Sequence, residues 1–552
     1  MTPKEQVEKF LNDTQDARFR SHVCRDYYDH KQWTADEERK LRARHQAPIV
    51  VNRVRPKVEG LVGLYNLRSV DPKAYPRTQK HEKSAEAVTD GLRYVVDNTH
   101  FQETTRLDVA NDFFVEGYGG AWVTVEDTPK GKEIVCDRIP WDRIEYDPHS
   151  RRLDFADSRW FGIFQWMYKE EFEETFPDAD WDQVISGQNG EDETIEDKPL
   201  WADKKANRAR VSIHFYIKSG KWKMCIFSGD YKIVKEQDSP YKDEDGLPSC
   251  PIELVSANID REGNRYGEVT GFLSQQDEIN HRRSKFLHYL NQNRTYARKG
   301  AIKDPAALKR EMAKPDGHVE SEGVFGEDWG IFENMTAENG QFTLYQDAKA
   351  ELDSTSFNAQ LSGERQSGDL SGKAIDRLQQ AGTIELNRQY ALLTGWELRI
   401  YRQIWARIKQ HWTEEKWIRV TDDYDSLRWV GLNAQVTTQQ FLEEQINDES
   451  LPVQQRTAYA ATFKYMMETQ DPRLQQVIEI ANPVPEMDMD IILDQSFDVV
   501  NIQQEQFNML AQFANGNDVD LLDLLELSEI RGKDELIEKI ERRRAQMAQA
   551  NA

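Results

Sequence analysis

The local pattern most suggestive of chemistry is a glycine-rich stretch that ends in lysine. Residues 368–374 read Gly-Asp-Leu-Ser-Gly-Lys-Ala, which approaches the phosphate-binding loop GxxxxGK[ST] of nucleotide-hydrolysing enzymes. The two glycines are one residue too close, and Ala374 stands where a hydroxyl would bind magnesium. No apolar strand precedes the stretch, although that loop follows one. The pattern therefore predicts a flexible hinge, with Asp369 or Ser371 as helix cap, and no nucleotide cofactor.

Two further groupings contain residue types that bind metals. His281 and His288 lie seven residues apart without an HExxH pattern, and Asp488 and Asp490 form a carboxylate pair beside an apolar run. Metal binding competes with a simpler interpretation in each case. The histidines would be partly exposed residues of a helix, and the carboxylates would lie on a solvated helix flank or turn. There is also no GxSxG motif. The sequence therefore predicts no catalytic residues, no metal site and no cofactor.

Charge is distributed very unevenly along the chain. Residues 281–310 contain nine Lys or Arg and one acid, a net charge of +8, whereas residues 421–530 contain four Lys or Arg and 21 acids, a net charge of −17. The basic stretch is either a solvated helix face or a surface that contacts an anion, such as a nucleic-acid backbone or an acidic partner. The asymmetry indicates different partners for different regions.

The overall composition excludes several protein classes. The chain has 552 residues, 38% of them hydrophobic, and a formal net charge of −25. A uniformly basic nucleic-acid binder is excluded by the sign of this charge. No stretch is long and apolar enough to span a membrane, and the first 20 residues do not resemble a secretory signal. The four cysteines are far apart, so we expect reduced thiols in a cytoplasmic setting.

Hydrophobic periodicity predicts an α+β chain that is mainly helical. The first 120 residues are read as helices, with a capping box at Thr34 and Glu37. Period-two patterns between 121 and 259 predict an antiparallel sheet with a helix near Lys169–Phe176. Two long helices follow, at Glu268–Arg298 and Gly372–Trp412.

The remaining segments are expected to support those two long helices. A mixed segment at Gly300–Tyr345 and a helix near Ala348–Leu361 lie between them. Gly- and Ser-rich residues 362–372 form a hinge. We expect Asp422–Glu529 to be mostly helical and Arg531–Ala552 to form a final charged helix.

Four strings, taken in order, resemble the portal proteins of tailed bacteriophages, especially those of short-tailed phages. The first is residues 24–63, CRDYYDHKQWTADEERKLRARHQAPIVVNRVRPKVEGLVG. The second combines Ile139-Pro-Trp-Asp142 with Tyr146-Asp-Pro148. The third is residues 261–292, REGNRYGEVTGFLSQQDEINHRRSKFLHYLNQ, and the fourth is residues 361–382, LSGERQSGDLSGKAIDRLQQAG.

The resemblance covers about residues 20–530 and implies a structural role. Portal proteins of that family form rings, usually of twelve copies, at one capsid vertex, and double-stranded DNA passes through the centre of the ring. It implies a homo-oligomer whose partners are DNA, the terminase packaging motor, the tail adaptor, and the major capsid and scaffolding proteins, with no membrane. The location is the virion, after assembly in the host cytoplasm. Since the sequence ends at Ala552, the long C-terminal helical barrel of some relatives is not expected.

The resemblance also implies a division of the chain into the parts of a portal. The expected parts are a wing at 1–260, a first stem helix at 261–299, a clip at 300–345, a second stem helix at 346–361, a tunnel loop at 362–372, a long wing helix at 373–420, a crown at 421–530 and a short C-terminal helix at 531–552.

Candidate site residues follow from these parts. The stem basic candidates are Arg282, Arg283 and Lys285, and the clip docking candidates are Lys303, Lys309 and Arg310. The candidates for lining the channel are Ser362, Gly363, Glu364, Arg365, Gln366, Ser367, Gly368, Asp369, Leu370, Ser371, Gly372 and Lys373. The stem bases could face DNA, a neighbouring subunit or solvent, and the sequence leaves these alternatives open.

Two other functions compete with that of a DNA conduit. A motor ATPase or nuclease would need a phosphate loop or a carboxylate metal site, and neither pattern is present. A scaffold or adaptor of the virion would bind proteins only and would not enclose a DNA channel. It is the main alternative.

Overall fold

The computed structural model describes residues 1–493 apart from 69, 82–83, 130, 187–200, 204–205, 291–294, 313–315, 332–334, 356–385, 424–425, 448–450 and 470. The predicted tunnel loop, the start of the long wing helix and the C-terminal helix lie outside these residues.

Helices form a larger share of the described chain than strands do. They are α1 Pro3–Asp13, α2 Gln15–Tyr28, α3 Ala35–Ala43, α4 Val54–Asn66, α5 Ala85–Asn98, α6 Arg106–Val115, α7 Lys169–Thr175, α8 Trp181–Ser186, α9 Leu273–Leu290, α10 Pro305–Met312, α11 Met335–Thr355, α12 Asn387–His411, α13 Thr438–Asn447 and α14 Val453–Glu468.

Strands are distributed along the described chain from residue 72 onward. They are β1 Pro72–Pro76, β2 Tyr118–Thr128, β3 Gly131–Ile139, β4 Ile144–Tyr146, β5 Trp160–Tyr168, β6 Ala202–Asp203, β7 Arg208–Lys218, β8 Lys221–Ser228, β9 Tyr231–Asp238, β10 Ile252–Ser256, β11 Asn258–Ile259, β12 Arg265–Tyr266, β13 Thr295–Ala297, β14 Trp329–Ile331, β15 Lys416–Asp423, β16 Ser426–Leu432, β17 Ala434–Thr437, β18 Val477–Ala481 and β19 Met489–Leu493.

The first of two compact units contains residues 1–65, 103–123 and 136–397. Its largest sheet is antiparallel, with strand order β4-β5-β7-β8-β9 and β6 paired to β7. Helix α1 packs on this sheet through Phe10, whose ring lies 4.9 Å from Tyr146 and 6.3 Å from Trp160. Helices α9 and α11 of this unit form an antiparallel hairpin, with β13, α10 and β14 inserted between them.

The second unit contains residues 66–102, 124–135 and 398–552. In it α5 packs against the β15–β16 hairpin, and β1 pairs with β19. Asn433 connects several of its elements from a left-handed backbone conformation, at φ 53°. Its side chain donates to the carbonyls of Trp412 and Glu414 and accepts from the amide of Val484. Asparagine suits this position because it tolerates that conformation and supplies both a donor and an acceptor.

Several local predictions are confirmed. Thr34 and Glu37 form the expected capping box, and antiparallel strands occupy much of the segment 121–259, where period-two patterns predicted them. All four cysteines are buried and unpaired. The long helix predicted up to Trp412 is observed as α12, and its residues Trp396 and Trp405 are buried. The mixed α+β class is confirmed as well.

The two predicted stem helices have different bounds. The first was expected at Glu268–Arg298, but a 3₁₀ turn occupies Glu268–Phe272 and α9 ends at Leu290. Residues 295–297 are instead strand β13, because they pair with β14. The second helix begins at Met335, not at Ala348, so the end of the segment predicted to be a mixed insert is helical.

The predicted mostly helical region after 421 is wrong for the residues described there. This part contains strands β15 to β19 besides α13 and α14. Pro72 and Pro76 lie in strand β1, within the first 120 residues, which were read as helices. Asp488 and Asp490 lie at β19 and pair with Arg77, at 2.8 and 2.7 Å, instead of flanking a helix. These pairings join residues about 400 positions apart, which local patterns do not reveal.

A buried ion pair fixes the N-terminal half of α12 within the first unit. Arg106 Nε lies 2.6 Å from Glu397 Oε1, and both side chains are almost fully buried. The same guanidinium donates to the carbonyl oxygen of Tyr65 at 2.9 Å and lies 3.8 Å from the centre of its ring, while the Tyr65 hydroxyl donates to Glu397. Burial raises the pKa of Glu397, since the charged carboxylate loses its hydration.

Replacing Glu397 with alanine should destabilise the first unit. Arg106 would keep its charge in a buried position without its carboxylate partner, which costs about 3–5 kcal/mol. Chemical denaturation followed by tryptophan fluorescence would measure the loss. The exposed Glu170→Ala variant is the control, and a loss no larger than that of the control would contradict the prediction.

Candidate functional site

The α9–α11 hairpin carries the predicted stem residues and is held at its base by a ladder of polar side chains. Three buried residues of α9, Gln276, Asn280 and Ser284, accept hydrogen bonds from the backbone amides of Arg53, Val51 and Ile49, at 3.1, 2.9 and 3.0 Å. Gln276 also donates to the carbonyl of Val51, and Asn280 donates to Gln32.

The spacing of this ladder follows from helix geometry. Four residues of helix rise by about 6 Å, and two residues of extended chain span about 6.6 Å. Side chains at every fourth position of α9 can therefore meet every second amide of the segment 49–53, which runs antiparallel to the helix. The ladder satisfies backbone groups of a segment that belongs to no sheet.

The second helix of the hairpin is anchored to the same part of the chain. Arg53 Nη1 lies 3.1 Å from Asp353 Oδ1, and Lys57 Nζ lies 3.5 Å from the same oxygen. Lys57 also donates to the carbonyl of Leu352. One short stretch of sequence, 49–57, thus holds the base of both helices.

The three stem bases have different surroundings. Arg282 pairs with Glu278 at 3.0 Å and donates to Gln341 on α11. Arg283 lies over the ring of Tyr345, 5.9 Å from its centre, and Lys285 lies over Tyr289 at 5.8 Å. Arg282 therefore has an acid partner within its own chain, and the other two contact aromatic rings.

The insert between the helices is a small folded lobe. Strands β13 and β14 pair with Tyr296 opposite Gly330. A Cβ at Gly330 would come within 2.7 Å of the Tyr296 hydroxyl, which explains the glycine. Trp329 and Leu308 are buried, and the Trp329 indole donates to Ser321 at 2.8 Å.

The predicted docking bases lie on the surface of this lobe. Lys303 is 81% exposed and pairs with Glu322, and Arg310 is 74% exposed, 3.9 Å from Asp304. Lys309 is exposed as well. These contacts leave the three cations accessible to a partner.

Within the described ranges, no group of three or more His, Cys, Asp or Glu side chains could hold a metal ion. His281 packs edge-on against Trp33. Among the helices of the described residues, none is long and apolar enough to cross a bilayer.

The residues that fix the hairpin were missed by sequence reasoning. Gln276, Asn280 and Ser284 recur every four residues, and this polar stripe on a helix was the available signal. A polar stripe on a helix is also typical of a solvated face, and only the burial of these three side chains distinguishes the ladder from such a face. The Arg53–Asp353 pair spans 300 positions and has no local signal.

Asn280→Ala should loosen the base of the hairpin. The Val51 amide would lose its acceptor in a partly buried position, a cost of about 1–3 kcal/mol. Hydrogen exchange followed by mass spectrometry should show faster exchange over residues 49–53. Ser274→Ala, on an exposed part of the same helix, is the matched control, and equal protection in both variants would refute the ladder's role.

Comparison with known protein families identifies the family of this chain. The family model described as phage P22-like portal protein matches residues 4–552. A search of curated proteins gave no match. The family match extends over nearly the whole chain, including the hairpin, its insert and both compact units. The chain therefore belongs to the phage P22-like portal protein family.

Proposed function

We propose that this protein forms a ring at one vertex of a phage capsid, through which double-stranded DNA enters during packaging and leaves during ejection. The observation that carries the proposal is the family match over residues 4–552. Twelve copies would form the ring, which would assemble in the host cytoplasm and remain in the virion. The protein would act as a structural conduit without enzymatic activity, and a separate terminase would supply the energy.

The parts of a portal can be assigned with one adjustment. The α9–α11 hairpin would be the stem, and because α11 begins at Met335, the clip would be the lobe at 295–331. The wing would comprise residues 1–260 and the long helix at 373–420, and the crown residues 421–530. Residues 362–372 would be the tunnel loop and 531–552 a short terminal helix.

The clip lobe would be the docking platform for the terminase and later for the tail adaptor. It is joined to the rest of the unit through the two stem helices, so it is suited to project from the capsid. Its exposed bases Lys303, Lys309 and Arg310 would contact acidic groups of these partners. The major capsid and scaffolding proteins would contact other parts of the ring.

The purified full-length protein should form rings with an open axial channel. Negative-stain electron microscopy would show the channel, and native mass spectrometry would count the copies, expected to be about twelve. Assembly should be tried with and without the scaffolding protein, because rings can need a nucleus. Absence of rings under both conditions would refute the conduit function and favour a virion scaffold or adaptor without a DNA channel.

Reversing the charge of the clip bases should weaken terminase docking. In the Lys303→Glu, Lys309→Glu, Arg310→Glu variant, association with the terminase should slow about tenfold, because complementary charge mainly sets the association rate. Surface plasmon resonance on assembled rings would measure this rate. The control carries Lys232→Glu and Lys235→Glu on the exposed strand β9, and equal rates for both variants would exclude the clip bases from docking.

A further inference from the structure

Two opposite stripes of side chains run along the stem helix α11. Phe342, Lys349 and Asp353 recur at spacings of seven and four, so they share one side of the helix. Asp353 binds Arg53, which places this stripe on the side of the hairpin occupied by the segment 49–57. We refer to this side as the anchored face.

Leu344, Asp347 and Glu351 form the second stripe, at spacings of three and four. At 100° per residue, Asp347 and Glu351 lie roughly 160–200° from Lys349 around the helix. Both acids are exposed, and so is Leu344 at 40%. We refer to this side as the open face, since it lies opposite the segment that anchors the hairpin.

The anchored face also receives a base from the first helix. Arg283 lies next to Ser284, which binds the segment, and stacks over Tyr345 on α11. Together with Lys349 it gives the anchored face a basic character. Phe342, 46% exposed, adds apolar surface there. The open face is acidic along α11 and has Leu344 as its exposed apolar residue.

The complementary groups lie at the same level of the hairpin. Arg283 is opposite Tyr345, and Asp347, Lys349 and Glu351 follow within six residues, or about 9 Å of helix. Within the part of the chain that the structure describes, Arg283, Lys349 and Asp347 form no ion pair. Copies related by rotation in a ring do not shift along its axis, so groups that pair between copies must lie at one level.

We propose that the anchored face of one stem hairpin docks against the open face of the next copy in the ring, with Arg283 and Lys349 meeting Asp347 and Glu351. This deepens the proposed function and rests on it. Two different faces that complement each other generate a head-to-tail contact, which closes into a ring, whereas a two-fold dimer would need one self-complementary face. The proposal assigns Arg283 and Lys349 to a second copy of the chain, not to DNA.

Charge reversal on either face should disrupt assembly, and reversal on both should restore it. The first variant carries Arg283→Glu and Lys349→Glu, and the second Asp347→Lys and Glu351→Lys. Each alone places like charges across the contact, so the concentration needed for rings should rise about tenfold or more. The chain with all four changes should form rings at nearly the wild-type concentration.

An equimolar mixture of the two variants gives a sharper test. Each contact is favourable when the variants alternate, so mixed rings should form and should contain an even number of copies. Native mass spectrometry at fixed protein concentration reports ring formation, copy number and composition. The control reverses Lys232 and Lys235, both exposed on β9, and should assemble like the wild type. Circular dichroism checks that each variant is folded.

The outcomes separate this inference from the function on which it rests. If the wild type forms rings and both variants assemble as readily, the stem contact is refuted while the portal function stands. If the variants form intact rings but pass less DNA, Arg283 and Lys349 contact DNA and the contact between copies is likewise refuted. If the wild type forms no rings even with its scaffolding protein, the portal function itself fails.

Discussion

The position of the α9–α11 hairpin depends on a match between two distances, the rise of four helical residues and the length of two extended residues. Gln276, Asn280 and Ser284 meet alternate amides of the segment 49–53 because four helical residues rise about as far as two extended ones. Hydrogen bonds are directional, unlike apolar contacts, so this ladder specifies one register and one rotation of α9. The sidedness of the hairpin, and hence the chemistry of its two faces, follows from that rotation.

Local sequence patterns correctly predicted the elements that depend mainly on neighbouring residues. The capping box at Thr34 and Glu37 needs only four residues, and the strands between 121 and 236 alternate in the usual way. Where distant segments pair, local signals misled. Residues 295–297 continue a helical pattern, yet Tyr296 pairs across to Gly330. Similarly, β1 with its two prolines is a strand because β19 lies beside it.

The candidate site was likewise predicted only in part. Composition identified the bases of residues 281–310, but not which face each base occupies. Arg282 and Arg283 are adjacent in sequence, yet Arg282 pairs with Glu278 and Arg283 stacks on Tyr345. Consecutive residues on a helix point about 100° apart. Which side of the hairpin each base occupies is known only from the positions of α11 and of the segment 49–57 relative to α9. A count of charges therefore left open whether the stretch is a solvated helix face or a surface that contacts an anion.

The proposed role as a conduit for DNA would also constrain how the bases of this protein can be used. Each base that neutralises a phosphate releases counterions and tightens binding, and tight binding would oppose the sliding of the duplex. Bases that pair with acids in their own chain or in the next copy are unavailable to phosphate. Arg282 already pairs within the chain, and pairing of Arg283 and Lys349 across the ring would remove two more. A basic stem and an unobstructed channel would then be compatible, since the charges proposed to hold the copies together would leave the wall weakly attractive to DNA.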